Sequence, residues 1–200
     1  MYLLKGREAD DASGMMGDRT IPSPRTYERE DELARGLAAH DPAAWRQLFD
    51  EQYQRVYRYA HLRTGNTADA EEIASCVFTE AVRGIGGFRF RGAPVAAWLL
   101  RIAHNETVDL LKRRTRTAAA TLESVETTLP APDDSASSDE WREVSEALGR
   151  LKPEHRAVLV LRLVEDRSVR ETAELLGKTE GAVKVTQMRA LKALKRTLGR

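Results

Sequence analysis

SVRETAELLGKTEGAVKVTQMRALKALKRTLGR, residues 168–200, is the stretch whose reading decides the fold. Ser168 and Glu171 stand three apart as S-x-x-E, the pair that reciprocally satisfies orphan amides at a helix start. Ala173, Leu175 and Leu176 supply the inward side of that helix, and Gly177 can take the left-handed conformation that ends it. Thr179 is the N-cap of a second helix whose inward side carries Val183, Ala190, Leu194 and Leu198. Val185, Arg189, Lys192 and Arg196 are left outward, with Glu180 and Lys184 on the flank. Gln187 falls in the inward stripe and therefore needs a hydrogen-bond partner or a solvent edge. Such a pair is either a plain helical hairpin or the helix-turn-helix that enters the DNA major groove.

The chain upstream repeats the helical pattern and shows no strand alternation. Residues 1–27 carry Gly, Ser, Asp and Pro without periodicity and read as a disordered arm, with Met15 and Met16 as alternative starts. Leu33 and Leu37 mark a helix over residues 28–39. Asp41-Pro42, an N-cap followed by proline at the first helical position, opens the next one, to about Arg63. Its core side is Trp45, Leu48, Phe49, Tyr53, Val56, Tyr57 and Ala60. Gly65 and Asn66 stop it, and a helix over residues 68–83 buries Ile73, Val77, Phe78 and Ala81. A glycine-broken basic aromatic loop, FRFRG (residues 88–92), precedes a helix over residues 94–114. At about 100° per residue, Val95, Leu99, Ile102, Ala103 and Leu110 share its buried arc. Trp98, Arg101, Asn105, Asp109 and Lys112 fall in one narrow stripe opposite. Residues 117–137 lose the pattern and read as a linker. Ser138 caps a helix with Trp141, Val144 and Leu148; Pro153 starts another, whose Val158, Leu159, Leu161 and Leu163 pack under the hairpin. The expectation is an all-α chain of two small helical domains joined by a flexible linker.

Composition removes several function classes. No apolar run approaches the roughly 18 residues of a membrane span, and the N-terminus has too short an apolar segment for a secretory signal, so a cytoplasmic protein is expected. The single cysteine, Cys76, and four scattered histidines form no metal-ligand spacing, so neither a metal site nor a cofactor is expected. There is no phosphate-cradling glycine loop and no nucleophile elbow, and His104 beside Asn105 and Glu106 reads as a helix-surface histidine, so no enzymatic role is expected. Net charge is only +1, yet Lys112, Arg113, Arg114 and Arg116 cluster mid-chain and a second basic cluster fills the C-terminus, while Asp69, Glu71 and Glu72 form an acidic knot. That mosaic suggests two anionic contacts and at least one basic partner.

Two segments in this order resemble the sigma-70 family of bacterial RNA polymerase sigma factors, in its small extracytoplasmic-function group. The first, GNTADAEEIASCVFTEAVRGIGGFRFRGAPVAAWLLRIAHNETVDLLKRRTR (residues 65–116), is similar to the family's G-D-x-x-x-A-E-D helix, F-R loop and W-L-x-R-I-A-x-N-x-x-x-D-x-x-R-R helix. The second, residues 151–196, resembles the L-P-x-x-x-R-x-V-x-x-L-R and A-x-x-L-G-x-S-x-G-T-V-K pattern of its C-terminal domain.

The resemblance implies a domain at residues 28–116 for core polymerase and the promoter −10 element, and one at residues 138–200 for the −35 element. It implies that Asp69, Glu71 and Glu72 meet the polymerase β′ clamp, although acids at a helix start also suit the macrodipole. The β flap is the second polymerase contact that the family implies. Asn105 matches the residue placed near the unstacked −10 base, where an amide offers both a donor and an acceptor. Phe88 and Arg89 belong to the loop that shapes that pocket. Trp98 matches a conserved aromatic, or is a core anchor. Arg101, Lys112, Arg113 and Arg114 would hold phosphates beside Asp109. Thr179, Glu180, Lys184, Val185 and Arg189 would face the −35 major groove, where arginine reads guanine and valine can meet a thymine methyl. Core RNA polymerase, promoter DNA and an anti-sigma factor are the partners implied. Ser75-Cys76 stands where many members have Q-E, Val82 where a Trp is usual, and Ala182, Val185, Thr186 and Gln187 where T, S, R and L are common. The competing expectation is a stand-alone helix-turn-helix regulator with an N-terminal sensor or dimerisation bundle.

Overall fold

The computed structural model describes residues 24–90, 94–121 and 139–199, and among these every regular element is helical. The order is α1 (Pro24–Ala38), α2 (Pro42–Thr64), α3 (Thr67–Gly84), a 3-10 turn (Ile85–Gly87), α4 (Val95–Thr121), α5 (Asp139–Gly149), α6 (Pro153–Leu159), a π-helical turn (Val160–Val164), α7 (Val169–Leu176) and α8 (Glu180–Thr197). Most helix starts follow local signals. The Asp41 carboxylate accepts from the Ala43 amide at 3.0 Å, with Pro42 behind it. The Asn66 side chain accepts from the Asp69 amide at 2.9 Å. Ser168 and Glu171 close a full capping box, and Gly177 ends α7 at φ 61°. Helix α1 begins at Pro24, four residues before the expected boundary. Helix α4 runs to Thr121, into the expected linker, because Ala118, Ala119 and Ala120 have the highest helix propensity and no Gly or Pro stops them. The remaining linker and the Ser138 cap lie outside the described residues.

Helix α2 is the axis of the molecule. One side packs on α3 and α4 through Leu48, Val56 and Ala60, which meet Ile73, Val77, Leu99 and Ala103. Helix α1 lies so close that a Cβ on Gly36 would meet the Ala44 Cβ at 2.9 Å. Phe49, expected in the core, is 45% exposed; it stacks on Tyr53 at 4.8 Å and meets Phe78 at 4.9 Å with the rings tilted by 54°. Helical spacing placed it on a stripe wider than the face its neighbours cover.

The C-terminal helices pack around α6, with Val158, Ala173 and Val183 as one small core. Leu163, expected beneath the hairpin, is 42% exposed. The π-helical turn causes this: the Glu165 amide donates to the Val160 carbonyl five residues back at 3.0 Å, so one extra residue shifts the phase. Leu163 and Val164 turn outward and Glu165 turns in. Gln187 finds the partner its position demands, since Arg162 Nε donates to its Oε1 at 3.1 Å.

The two halves are not separate bodies joined only by a linker. A second face of α2 meets α5, α6 and the π-helical turn, and one continuous hydrophobic cluster runs from Leu37 through Leu62 to Leu148, Leu151 and Leu159.

Candidate nucleic-acid interface

The stripe on α4 forms as the spacing requires. Arg101, Asn105, Asp109 and Lys112 are all exposed on one side of a helix whose other side buries Val95, Leu99, Ala103 and Leu110. From Arg101 to Lys112 this row spans about 17 Å. Arg101 and Asn105 have no hydrogen-bond or ion-pair partner among the described residues, so an amide and a guanidinium stand ready for a ligand. Lys112 sits 3.8 Å from Asp109, an exposed pair of little energetic weight.

Trp98 heads the row, half-buried, with its ring 4.9 Å from that of Phe88 at 39°. The loop is thereby fixed to the helix. Arg89 Nη1 donates to the Gly86 and Phe88 carbonyls, at 2.9 and 3.0 Å, which ties its guanidinium to its own loop. Arg91 and Gly92 of the same loop lie outside the described residues.

Two of the expected charges are tied to each other across a helix contact. Asp69 is buried, and Arg114 donates to its carboxylate across the α3–α4 contact. Burial pushes the Asp69 carboxyl up, against the pull of Arg114. Arg113 lies near enough to Cys76 to act on its thiol, which burial pushes up. Glu71 and Glu72, by contrast, are exposed. Beneath the stripe lies a polar chain that the sequence reading missed. His104 is buried, not on the surface; its Nδ1 is 3.0 Å from Tyr59 Oη, which accepts from Arg63 Nη1 at 2.9 Å. Burial, and then the Arg63 charge, lower the His104 pKa to about 4 and keep the ring neutral.

The second surface lies on α8. Thr179 caps it by accepting from the Ala182 amide at 3.2 Å, and Val183 and Ala190 anchor it. Glu180, Lys184, Val185 and Arg189 are exposed. So is Met188, at 65%, which sequence reasoning passed over although Gly181, Lys184, Val185 and Met188 repeat at helical spacing. Arg189 faces a different neighbourhood from Val185. With Lys192 and Arg196 it lines a basic cleft of about 450 Å³ that Arg150, Lys152 and His155 complete. Arg150 and Lys152 come from the α5–α6 turn and His155 from the start of α6, so no local pattern on α8 reveals them. A cleft of one sign beside an exposed helix face suits a polyanion whose backbone flanks a groove.

No group of His, Cys, Asp and Glu able to hold a metal ion occurs among the described residues, and no described helix is long and apolar enough to cross a membrane.

Comparison with known proteins finds a family match in each half of the chain. Residues 48–117 match the sigma-70 region 2 family, and residues 141–194 match the sigma-70 region 4 family. The chain is 35% identical over 171 residues to the ECF RNA polymerase sigma factor BldN of Streptomyces coelicolor, which covers 84% of this chain but 65% of that relative's length. It is 36% identical over 174 residues to the ECF RNA polymerase sigma factor SigM of Mycobacterium tuberculosis, covering 86% of this chain and 87% of that one. Among solved structures, CnrH in complex with the cytosolic domain of CnrY superposes with a TM-score of 0.63 at 26% identity, over 85% of this chain and 97% of that one. The sigma factor RpoE from Bartonella quintana, solved with the anti-sigma factor NepR, shares the fold with a TM-score of 0.67 at 21% identity, over 77% and 96%. Two helical domains, each with an exposed face suited to nucleic acid and each matching its own sigma-70 region in the same chain, make this protein a member of the ECF group of sigma-70 RNA polymerase sigma factors.

Proposed function

We propose that this chain is a promoter-specificity subunit with no catalytic chemistry of its own. It binds core RNA polymerase through the β′ clamp and the β flap, brings it to a −35/−10 promoter, and helps open the −10 region. The observation that carries this reading is the unpartnered Arg101–Asn105 face of α4 beneath the Phe88–Trp98 pair. Its row of about 17 Å matches about five nucleotide steps of 3.4 Å. A sensor or dimerisation bundle has no need of such a row, which is why the stand-alone regulator is the weaker reading.

Residues 28–116 then form the domain for the polymerase and the −10 element, and residues 138–200 the domain for the −35 element. Asn105 reads the extruded base edge, whose unstacking must be offset by stacking and hydrogen bonds. Trp98 and Phe88 wall that site. Arg89, Arg101, Lys112 and Arg113 lie along the strand and position its phosphates. Glu71 and Glu72 meet the clamp, while Asp69 and Arg114 hold α3 to α4. On α8, Thr179, Glu180, Lys184, Val185 and Met188 enter the major groove. Arg189, at the lip of the basic cleft, reads the groove edge and holds the flanking backbone. CnrH, which shares this fold, was solved with the cytosolic domain of CnrY, and an anti-sigma partner in the cytoplasm fits this chain too.

Run-off transcription from a selected promoter should appear only when core enzyme and this protein are both present. Tight operator binding without core enzyme, together with no transcription, would overturn the proposal.

A further inference from the structure

A helix start leaves amide hydrogens that need an acceptor, and α4 finds one from a distance. Val95 is its first residue and is 1% exposed, so water cannot serve its N–H. The residues before it in the sequence, Gly92, Ala93 and Pro94, carry no side-chain oxygen. Helices α2, α3, α7 and α8, by contrast, are each capped by the residue immediately ahead of them: Asp41, Asn66, Ser168 and Thr179. The acceptor for Val95 is Glu30 of α1, 65 positions upstream, whose Oε2 takes the Val95 amide at 3.1 Å. A carboxylate there also lies at the positive end of the helix dipole.

Glu30 stands on a fixed base. Ala34 and Leu37 bury one side of α1, Gly36 lies against Ala44 of α2, and Arg29 reaches Glu51 of α2 at 3.4 Å. Helix α1 also packs on the 3-10 turn, which leads directly into Phe88. Trp98 is about one turn along α4 from Val95. Its ring meets that of Phe88, and a Cβ on Gly84 would lie 3.7 Å from it. The end of α3, the start of the aromatic loop, α1 and the first turn of α4 thus converge on one corner, with the indole inside it.

Apolar packing is non-directional, whereas a hydrogen bond fixes a position along and around the helix axis. Helix α4 has such a bond to each of the three helices before it: Val95 to Glu30 of α1, His104 to Tyr59 of α2, and Arg114 to Asp69 of α3. Of these, the bond to Glu30 lies nearest Trp98. It sets the resting place of the indole at the head of the Arg101–Asn105 row.

We propose that Glu30 is a positioning residue for the −10 site: by accepting the Val95 amide it ties the first turn of α4 to α1 and holds Trp98 against Phe88, where the two rings wall the site of the extruded base. Glu30 touches no nucleotide in this arrangement; it acts through the helix start that carries the indole. The placement of Trp98 rests on the contacts alone, and its effect on promoter opening rests on the function proposed above.

The test uses the full-length chain in a Trp45→Phe/Trp141→Phe background, which leaves Trp98 as the single indole. Four forms are compared: Glu30 intact, Glu30→Gln, Glu30→Ala, and Glu30→Ala with Pro94→Ser, which gives α4 a local cap but no tie to α1. In the free protein, acrylamide quenching of Trp98 should rise in Glu30→Ala and stay near the intact value in Glu30→Gln, whose amide oxygen still accepts. With core polymerase, permanganate reactivity of the −10 strand should fall about fivefold in Glu30→Ala, while affinity for core polymerase and for −35 duplex is unchanged. The added serine should restore the thermal midpoint, lowered by about 3 °C when the cap is lost, but neither the quenching nor the opening. The double variant also keeps the test readable should Glu30→Ala alone disturb folding, which far-UV circular dichroism reports. Recovery of promoter opening by the added serine overturns the positioning role and leaves Glu30 a helix cap alone. Unchanged quenching and opening in Glu30→Ala overturn it outright. A quenching change with no promoter opening by any form, intact Glu30 included, leaves the placement of Trp98 standing and overturns the proposed function instead.

Discussion

Lowering the pH from 8 to 5 should destabilise the folded protein by about 2 kcal/mol through His104. The ring is 6% exposed, and its Nδ1 faces a tyrosine hydroxyl that already accepts from Arg63. The Tyr59 proton is thus directed at His104, and a second proton on Nδ1 would meet a donor and a nearby guanidinium. Its folded pKa is lowered from 6.5 to about 4, by burial first and Arg63 second. Because the folded value lies below the unfolded one, the unfolded chain binds more protons between those values, and stability is lost as pH falls through 6.5 towards 4. The full shift corresponds to roughly 3 kcal/mol, of which about 2 kcal/mol is lost by pH 5. Urea unfolding at pH 8, 6 and 5 should show a midpoint about 1 M lower at pH 5 for the wild type than for His104→Gln, after each is referred to its own value at pH 8. Asp69, whose raised pKa acts in the opposite sense at low pH, and buried His61, which acts in the same sense, are common to both proteins and drop out of the difference. Parallel pH profiles for the two proteins would refute this account, and so would an NMR titration of His104 near 6.5 in the folded state.

Three further outcomes follow from the surfaces and caps. Asn105→Ala should weaken promoter opening, read by permanganate reactivity of the −10 strand, at least tenfold more than it weakens core binding; equal losses would remove Asn105 from the base site. Lys192→Ala should reduce the salt slope of −35 binding by about one, its share of a phosphate contact, while Arg189→Ala should also relax sequence preference; gel shifts over a salt series distinguish the two. Ser168→Ala breaks the capping box and should lower the thermal stability of the C-terminal domain by about 1 kcal/mol, with no change in α8 contacts to DNA beyond that loss.

What the sequence made legible was local. Asp41-Pro42, Ser168 with Glu171, Gly177 and Thr179 act within a few residues of themselves, so their helices start or stop where the residue types require. The α4 stripe was legible for the same reason, since 3.6-residue periodicity fixes which side chains share a face. The demand that Gln187 find a partner was readable; that Arg162 supplies it was not. What escaped was either non-local or a break in that period. Arg114 reaches Asp69 across 45 positions, and the basic cleft draws Arg150, Lys152 and His155 to α8 from another turn. His104 looked like a surface residue because its partners, Tyr59 and Arg63, are on a different helix. Leu163 was misplaced because a π-helical turn cannot be told from an α-helix by hydrophobic spacing.

The Asp69–Arg114 pair makes α4 a lever with its fulcrum at the acidic end of α3. From Arg114 to Trp98 the helix extends about 24 Å, so a tilt of about 5° at the pair carries the indole about 2 Å. Under the proposed function, that is the difference between touching an unstacked base and missing it. Polymerase seated on Glu71 and Glu72 would therefore act on promoter opening through alignment: a small rotation where the protein is held becomes a large displacement where the strand is read.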